Sequence, residues 1–419
     1  MRWSDLVEGL FKDILELKTI DAHEHLLPEE EYLEQEYCGL NLFAGGYIYH
    51  DLESAGMPAS FKGTMRLGGY RPVAEWWPQI APYWENVKTT SFSNALRITV
   101  RDLYGIQEID ADTIGEIAAR VQSDNRRGIY DWIFEEKCKI SKVIDCIDRT
   151  LFPRDPRFVG ITELMKVNIK RSDCIQTLAA RSGHSISNLN DFEEAGFDLL
   201  ERDIRHGSVG FKTIIDDRCE PDKDAAEKEF TWLKSDPTGM KGRFSSYPKA
   251  LSDYLFDRWL NVAARANVPV AVHSGYWGDF RKLDPKFIYS FAPRRSDIHF
   301  DLFHLGMPMV REAAMIGKNL PNVSLNLTWC PIISQRQTIS ILNEIIDLVP
   351  LNKIIAFGGD YRVCVQKVYG HLVMMKEVLA TILGDRIQSS DFGTNTALKI
   401  AQRWLYDNAI ELYHLGVAR

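Results

Sequence analysis

The sequence has no uninterrupted apolar run approaching the ~18 residues that a membrane-spanning helix requires, so no membrane partner is expected. A surplus of positive charge is also missing. Lys+Arg number 50 against 58 Asp+Glu, giving −8, the wrong sign for a protein that takes its affinity from phosphates, and no nucleic-acid partner is expected. Small anionic substrates stay open, because a few local arginines suffice for them. The seven cysteines (Cys38, Cys138, Cys146, Cys174, Cys219, Cys330 and Cys364) are scattered and include no CxxC pair. That excludes a disulfide framework and a thiolate zinc finger, and buried reduced thiols are the expectation. Neither GxGxxG nor GxxxxGK[ST] occurs, which removes the usual phosphate-cradling loops. Repeats and low-complexity tracts are absent. The N-terminal stretch carries Asp5, Glu8, Asp13 and Glu16 among its apolar residues, unlike the uncharged core of a secretory signal. It reads as a short amphipathic helix of a cytoplasmic protein.

What is present is an ordinary folded composition, 45% hydrophobic and 26% charged. At ~150 residues per domain, 419 residues suggest two or three domains, but one α/β barrel with insertions can absorb them. Eight β-rich runs recur: Lys18–His25, Ile140–Ile147, Phe158–Val167, Ser208–Ile215, Asn267–His273, Ile298–His304, Asn322–Trp329 and Lys353–Asp360. Apolar residues at helical spacing fill Tyr247–Ala266, Pro308–Asn319, Ser334–Leu348 and Val363–Leu383. Strands alternating with helices imply a parallel sheet, and eight such units favour a (β/α)8 TIM barrel of the α/β class.

The chain divides on this reading into residues 1–25 (N-terminal helix and first strand), 26–139 (insertion), 140–385 (remainder of the barrel) and 386–419 (C-terminal helical extension). The insertion far exceeds an ordinary βα loop of ~2–6 residues. It is rich in aromatics, with helical stretches near Ser91–Leu103 and Asp112–Phe134. Emerging from the catalytic face, it suits a lid; a side-packed subdomain is the alternative. Its aromatic content leaves room for a homo-oligomer.

The chemistry lies at the ends of the runs. His23 and His25 form H-x-H, and residues i and i+2 of a strand project to one face. Lys212 lies in the fourth run, His273 ends the fifth, His304 the sixth and Asp360 the eighth. In a closed barrel these ends converge on one mouth. Three imidazoles and a carboxylate suit Zn²⁺, with Mn²⁺ or Fe²⁺ also compatible, and leave a position for an acidified water. Each residue has a plainer role open to it: a satisfied core histidine, a salt-bridged lysine, an aspartate capping a helix. Those roles do not explain why all of them fall in chain order on strand ends.

The order and spacing resemble the amidohydrolase superfamily, and within it the amidohydrolase-2 group of metal-dependent hydrolases and non-oxidative decarboxylases. The segments VPVAVHSGYW, FDLFHLGMPMVREAAMIGKNLPNVSLNLTW and IIAFGGD match that group's strands five to eight, and IDAHEH its strand one. SVGFKTIIDDR resembles strand four of members related to a domain sometimes fused to glutamine synthetase. The resemblance implies a distorted barrel with His23, His25, His273 and Asp360 as ligands of one divalent ion. His304 would polarise the substrate or hold water. In two-metal members a carbamylated strand-four lysine, here Lys212, bridges the ions and His304 binds the second. Otherwise Lys212 serves substrate binding.

The implied reaction is hydrolysis of a small, carboxylate-bearing amide, ester or lactone, with Asp360 as general base and His304 at the developing oxyanion. Arg362 and Arg218 are candidates to clamp a substrate carboxylate, and Tyr276 and Trp277 to wall the pocket. The GGDYR motif departs from the group's usual GSD or GTD. Its D-x-R resembles uronate isomerases of the same superfamily, which also carry a long insertion after strand one. Decarboxylation and sugar-acid isomerisation are therefore the competing reactions, while the intact ligand set argues against a non-enzymatic scaffold.

Overall fold

The structure is a computed structural model that describes residues 4–43, 48–62, 70–146, 155–171, 173–235, 248–276 and 279–416. Among these are eight strands: β1 (Thr19–Glu24), β2 (Ile140–Asp145), β3 (Phe158–Glu163), β4 (Gly210–Ile214), β5 (Val270–His273), β6 (Phe300–Phe303), β7 (Val323–Asn326) and β8 (Ile354–Ile355). They form one sheet in chain order, the topology of a (β/α)8 barrel. Each lies inside one of the eight β-rich runs of the sequence. Among the described residues no helix is long and apolar enough to cross a membrane.

By compactness the chain forms two units, the first comprising Met1–Asp145, Arg154–Phe158 and Asn326–Ala409. Here β1 pairs in parallel with β2, Thr19 opposite Ile140 and Asp21 opposite Val143. On its other edge Ala22 N donates to Phe357 O at 3.0 Å, just beyond β8. The amphipathic N-terminal helix forms as Asp5–Leu15, started by Ser4, whose hydroxyl accepts from Val7 N. It buries Val7, Leu10 and Ile14. Val7 packs on helix Lys367–Gln388 at Gly384, where a Cβ would stand 2.6 Å from Val7 Cγ2. Lys376 of that helix donates to the Leu15 and Leu17 carbonyls, satisfying acceptors left open where the first helix ends.

The region after β1 is helical. Helix Ser91–Tyr104 starts at its Thr90 cap and stops at left-handed Gly105. The expected helix 112–134 breaks in two: Ile114–Asp124 ends at Asn125, Gly128 has φ +89°, and a π-helical turn covers Asp131–Lys137. Phe43, Trp76 and Trp84 form an aromatic cluster with centroids 5.4–5.8 Å from Phe43, and Trp84 Nε1 donates to Ile109 O.

The second unit comprises Cys146–Pro153, Val159–Leu325 and Ile410–Arg419. Strands β3 to β7 pair successively in parallel, with Thr162 opposite Phe211, Thr213 opposite Val272, Val272 opposite Leu302 and Asp301 opposite Ser324. Helix Leu189–Arg205 opens on a capping box between Asn188 and Asp191. Gly196 lets this helix approach Trp259 of helix Lys249–Ala266, since a Cβ would meet the indole at 2.2 Å.

Candidate metal centre

In the first unit β1 carries His23 and delivers His25 directly beyond its last residue, and β8 gives way after two residues to Gly358-Gly359-Asp360. His23 Nε2 lies 3.6 Å and His25 Nε2 3.3 Å from Asp360 Oδ1. One ligand atom from each residue lies within 4.8 Å of the other two. Ligand atoms ~2.0–2.2 Å from a shared tetrahedral ion stand ~3.4 Å apart, so the set matches the spacing that a divalent cation needs. His23 is buried, with the edge of one imidazole toward the face of the other at 4.7 Å.

The backbone explains the convergence. Asp360 N donates to His23 O at 2.7 Å and His25 N to Tyr361 O at 3.1 Å, stitching β1 to the turn after β8. Asp360 itself has φ +57°, a left-handed conformation that non-glycine residues adopt at a cost and that recurs at functional turns. The turn is held from beneath by two acids that the sequence reading passed over. Asp21 Oδ1 accepts from Gly359 N at 2.9 Å and Glu24 Oε2 from Tyr361 N at 2.6 Å. Asp145 accepts from Leu26 N at 2.9 Å, fixing the chain beyond His25. All three carboxyls are fully buried. Burial pushes the Asp21 carboxyl up to about 7, with its hydrogen bond to Glu24 opposing. Burial, then the negative charge of Asp21, raises Glu24 well above the usual carboxylate range. Burial and their mutual repulsion thus favour protonation of this pair of acids beside Asp360. The signal was two acids flanking His23 in a strand that a barrel buries throughout.

The GGD departure acquires a physical reason. A Cβ on Gly359 would stand 1.8 Å from Glu24 Oε1, and one on Gly358 2.1 Å from Thr328 Oγ1. The serine or threonine common at the second position has no room while Glu24 occupies it. Gly359→Ala is expected to lower stability by about 2–3 kcal/mol, as overpacking against a buried polar group does. Glu24→Ala removes the clash but also the acceptor for Tyr361 N, so the double variant should lose less than the two single losses added together. A thermal melt of the single and double variants checks both.

The second unit holds the other candidates. His273 ends β5, and His304 follows β6 with φ +62°. His304 Nε2 and His273 Nδ1 are 3.0 Å apart, within hydrogen-bond distance, the donor being set by the ring tautomers. Lys212 on β4 is buried with Nζ 4.5 Å from the Phe303 ring centroid. Arg218 is turned inward: Nη1 donates to Ser252 Oγ at 2.9 Å and to Asp253 Oδ1 at 3.2 Å, and the guanidinium lies over Phe256. Tyr276 is half-buried, and Trp277 lies outside the described residues. Arg362, in the first unit, is exposed. The structure thus brings together His23, His25 and Asp360 in one unit, and His273 with His304 in the other.

No family model matches the chain. Protein fluG of Emericella nidulans is 26% identical over 224 residues, half of this chain, and the match spans 26% of that relative's length. Among solved structures, the uronate isomerase of Thermotoga maritima superposes with a TM-score of 0.79 at 14% identity, covering 98% of both chains. The glucuronate isomerase of Caulobacter crescentus gives 0.77 at 13%, over 99% of this chain and 95% of that one. A Lactobacillus casei chain provisionally named a metal-dependent hydrolase gives 0.66 at 17%, over 97% of both. At these identities the likeness establishes the fold: the (β/α)8 barrel read from the strand order, with the long segment after β1 included in the match.

Proposed function

We propose that the protein is a metal-dependent enzyme of the amidohydrolase type that hydrolyses a small, carboxylate-bearing amide, ester or lactone. The observation that carries this is the spacing of His23 Nε2, His25 Nε2 and Asp360 Oδ1. His273 is the fourth ligand in this proposal, carried from its place at the end of β5. A bound divalent ion supplies Lewis-acid charge and acidifies water at neutral pH. Asp360 then accepts a proton on its carboxylate and returns it to the leaving group. His304, oriented through Nε2 by His273 at 3.0 Å, would donate from its other ring nitrogen toward the oxygen where negative charge develops. Asp21 and Glu24 keep the Asp360 turn in place while the charge on its carboxylate changes.

Sugar-acid isomerisation is the second reading. It is favoured by the full-length match to chains named uronate and glucuronate isomerases, together with Asp360-Tyr361-Arg362. Under it the Asp360 carboxylate carries a proton between adjacent carbons, and exposed Arg362 takes the substrate carboxylate. Non-oxidative decarboxylation uses the same ligands and is the third.

Isotopes separate them. The metal-loaded protein is assayed with lactones, esters and amides in H₂¹⁸O, with D-glucuronate and D-galacturonate in D₂O, and with aromatic acids under CO₂ detection. Label from water in the product acid supports hydrolysis. Deuterium in a ketose supports isomerisation and overturns the leading reading, as does CO₂ release. The metal itself is checked by elemental analysis after desalting. Wild type should retain about one equivalent of a divalent ion, and His23→Ala or His25→Ala less than a tenth of it, as expected when one of few ligands is lost. Equal metal content in all three proteins would remove the proposed centre.

A further inference from the structure

Trp329 stands where a tryptophan fits badly. It lies three residues beyond β7 with φ +71° and ψ −16°, a left-handed conformation that is a genuine outlier for a bulky side chain. It is also the N-cap of helix Cys330–Leu348. Its carbonyl accepts from Ile332 N at 3.1 Å and Ile333 N at 3.0 Å, but its side chain makes no capping bond. Asparagine or glycine would meet both demands at lower cost. What neither offers is the reach of an indole. The ring is buried, and Nε1 donates to Gly359 O at 3.0 Å.

Gly359 O belongs to the peptide unit that ends in Asp360 N, and that N–H donates to His23 O at 2.7 Å. One peptide plane is thus gripped at both polar ends, its N–H by β1 and its C=O from beyond β7. The orientation of this plane sets φ of Asp360 at +57°. Flipping such a plane is the change that separates type I from type II turns, and here it would carry Asp360 toward the negative φ that a non-glycine residue prefers. Gly359 has no side chain to resist the flip. Local preference therefore runs against the conformation that faces the Asp360 carboxylate toward His23 and His25, and the two hydrogen bonds oppose it. The segment leading to Trp329 is itself fixed. Asn326 Oδ1 accepts from Thr328 N at 3.0 Å and from Thr328 Oγ1 at 2.7 Å, and Leu327 N donates to Ile355 O at 2.9 Å. All of these residues belong to the first unit.

We propose that Trp329 is a positioning residue of the metal centre: its indole N–H holds the Gly359–Asp360 peptide so that the Asp360 carboxylate meets a cation together with His23 and His25. This rests on the metal-enzyme reading and extends it to a residue that acts through the backbone of Asp360.

Cobalt(II) added to the full chain tests this, since its visible d–d bands report ligand geometry and calorimetry reports its affinity. Trp329→Phe keeps a buried ring and removes the donor. It should bind cobalt about tenfold to a hundredfold more weakly than wild type, with altered d–d bands, as expected when a group that orients a ligand is lost. Replacing Trp329 by β-(3-benzothienyl)alanine puts sulfur in place of the indole N–H at nearly unchanged shape. That protein should show the same loss, and it keeps the packing should the phenylalanine variant fold poorly. Trp84→Phe is the control, because it removes a comparable buried indole bond, to Ile109 O at 2.9 Å, in the aromatic cluster after β1. It should keep wild-type cobalt affinity and bands. Near-ultraviolet circular dichroism checks the fold of each protein. Wild-type affinity and bands in both proteins altered at Trp329 overturn the positioning role, as does an equal loss in Trp84→Phe. If wild type binds cobalt no better than His23→Ala does, the metal-enzyme reading falls and the role of Trp329 falls with it. Cobalt held through His23 yet indifferent to Trp329 removes the positioning role alone.

Discussion

Asp360→Asn should lower turnover by about 10³-fold or more while leaving the fold intact. Asparagine keeps the size and planarity of the side chain but loses the charge that draws a cation and the oxygen that takes a proton. Loss of a general base alone costs ~10²–10⁴-fold, and a carboxylate facing two imidazoles at 3.6 and 3.3 Å is also a cation ligand. The backbone makes this a clean substitution. At φ +57° asparagine is among the residues that tolerate the left-handed region best, so the turn is no more strained than before. Asp360 N still donates to His23 O, and Tyr361 N to Glu24. The measurement is kcat on the substrate identified by the isotope assays, beside a thermal melt. Turnover within tenfold of wild type at unchanged melting temperature would deny Asp360 both roles.

The parts of the molecule that were legible in the sequence are those set by periodicity. All eight strands fall within runs of β-branched and apolar residues, and H-x-H at the end of β1 announced two imidazoles on one face. Their exact extents were not legible, because tertiary hydrogen bonding sets them. The run Lys353–Asp360 yields only Ile354–Ile355 as strand, since Ala356 N turns to Trp404 O and Gly359 N to Asp21. Helix Cys330–Leu348 begins four residues before the expected start, taking in Pro331 at its first turn and a non-helical Ser334.

The site was half legible for a related reason. Residue type marks a ligand, but what aims it is backbone conformation and buried partners, neither of which has a local signature. His304 directly after β6, and Trp329 and Asp360 within a few residues of the ends of β7 and β8, all take positive φ, and none is glycine. Asp21 and Glu24 looked like ordinary acids of a strand. They are the hydrogen-bond acceptors that fix the Asp360 turn, and Glu24 is the reason its neighbour must be Gly359. Arg218 looked like a substrate clamp because it follows β4. Only its partner Asp253, distant in sequence, reveals the inward pairing.

His371 gives the prediction with the largest pH dependence. It lies one turn after Lys367, fully buried, its ring 4.9 Å from Phe357 and 5.9 Å from Tyr361. Neither ring nitrogen has a hydrogen-bond partner among the described residues. Burial pulls its pKa from 6.5 down to about 3, with the charge of Asp360 opposing. The native imidazole thus stays neutral at pH values where the unfolded chain takes up a proton, so stability is lost as pH falls below 6.5 toward 3. The slope from this residue is about 1.4 kcal/mol per pH unit. His371→Leu removes two unsatisfied polar atoms and that proton linkage. At pH 7.5 the variant should be more stable by about 1–2 kcal/mol. Its advantage should widen by about 1.4 kcal/mol for each unit below pH 6.5. Chemical denaturation at pH 7.5, 6.0 and 5.0 reads both terms. A variant less stable than wild type at pH 7.5, with a gap that does not change on acidification, would mean that His371 is held by its nitrogens and contributes to the packing behind Asp360 as a polar group.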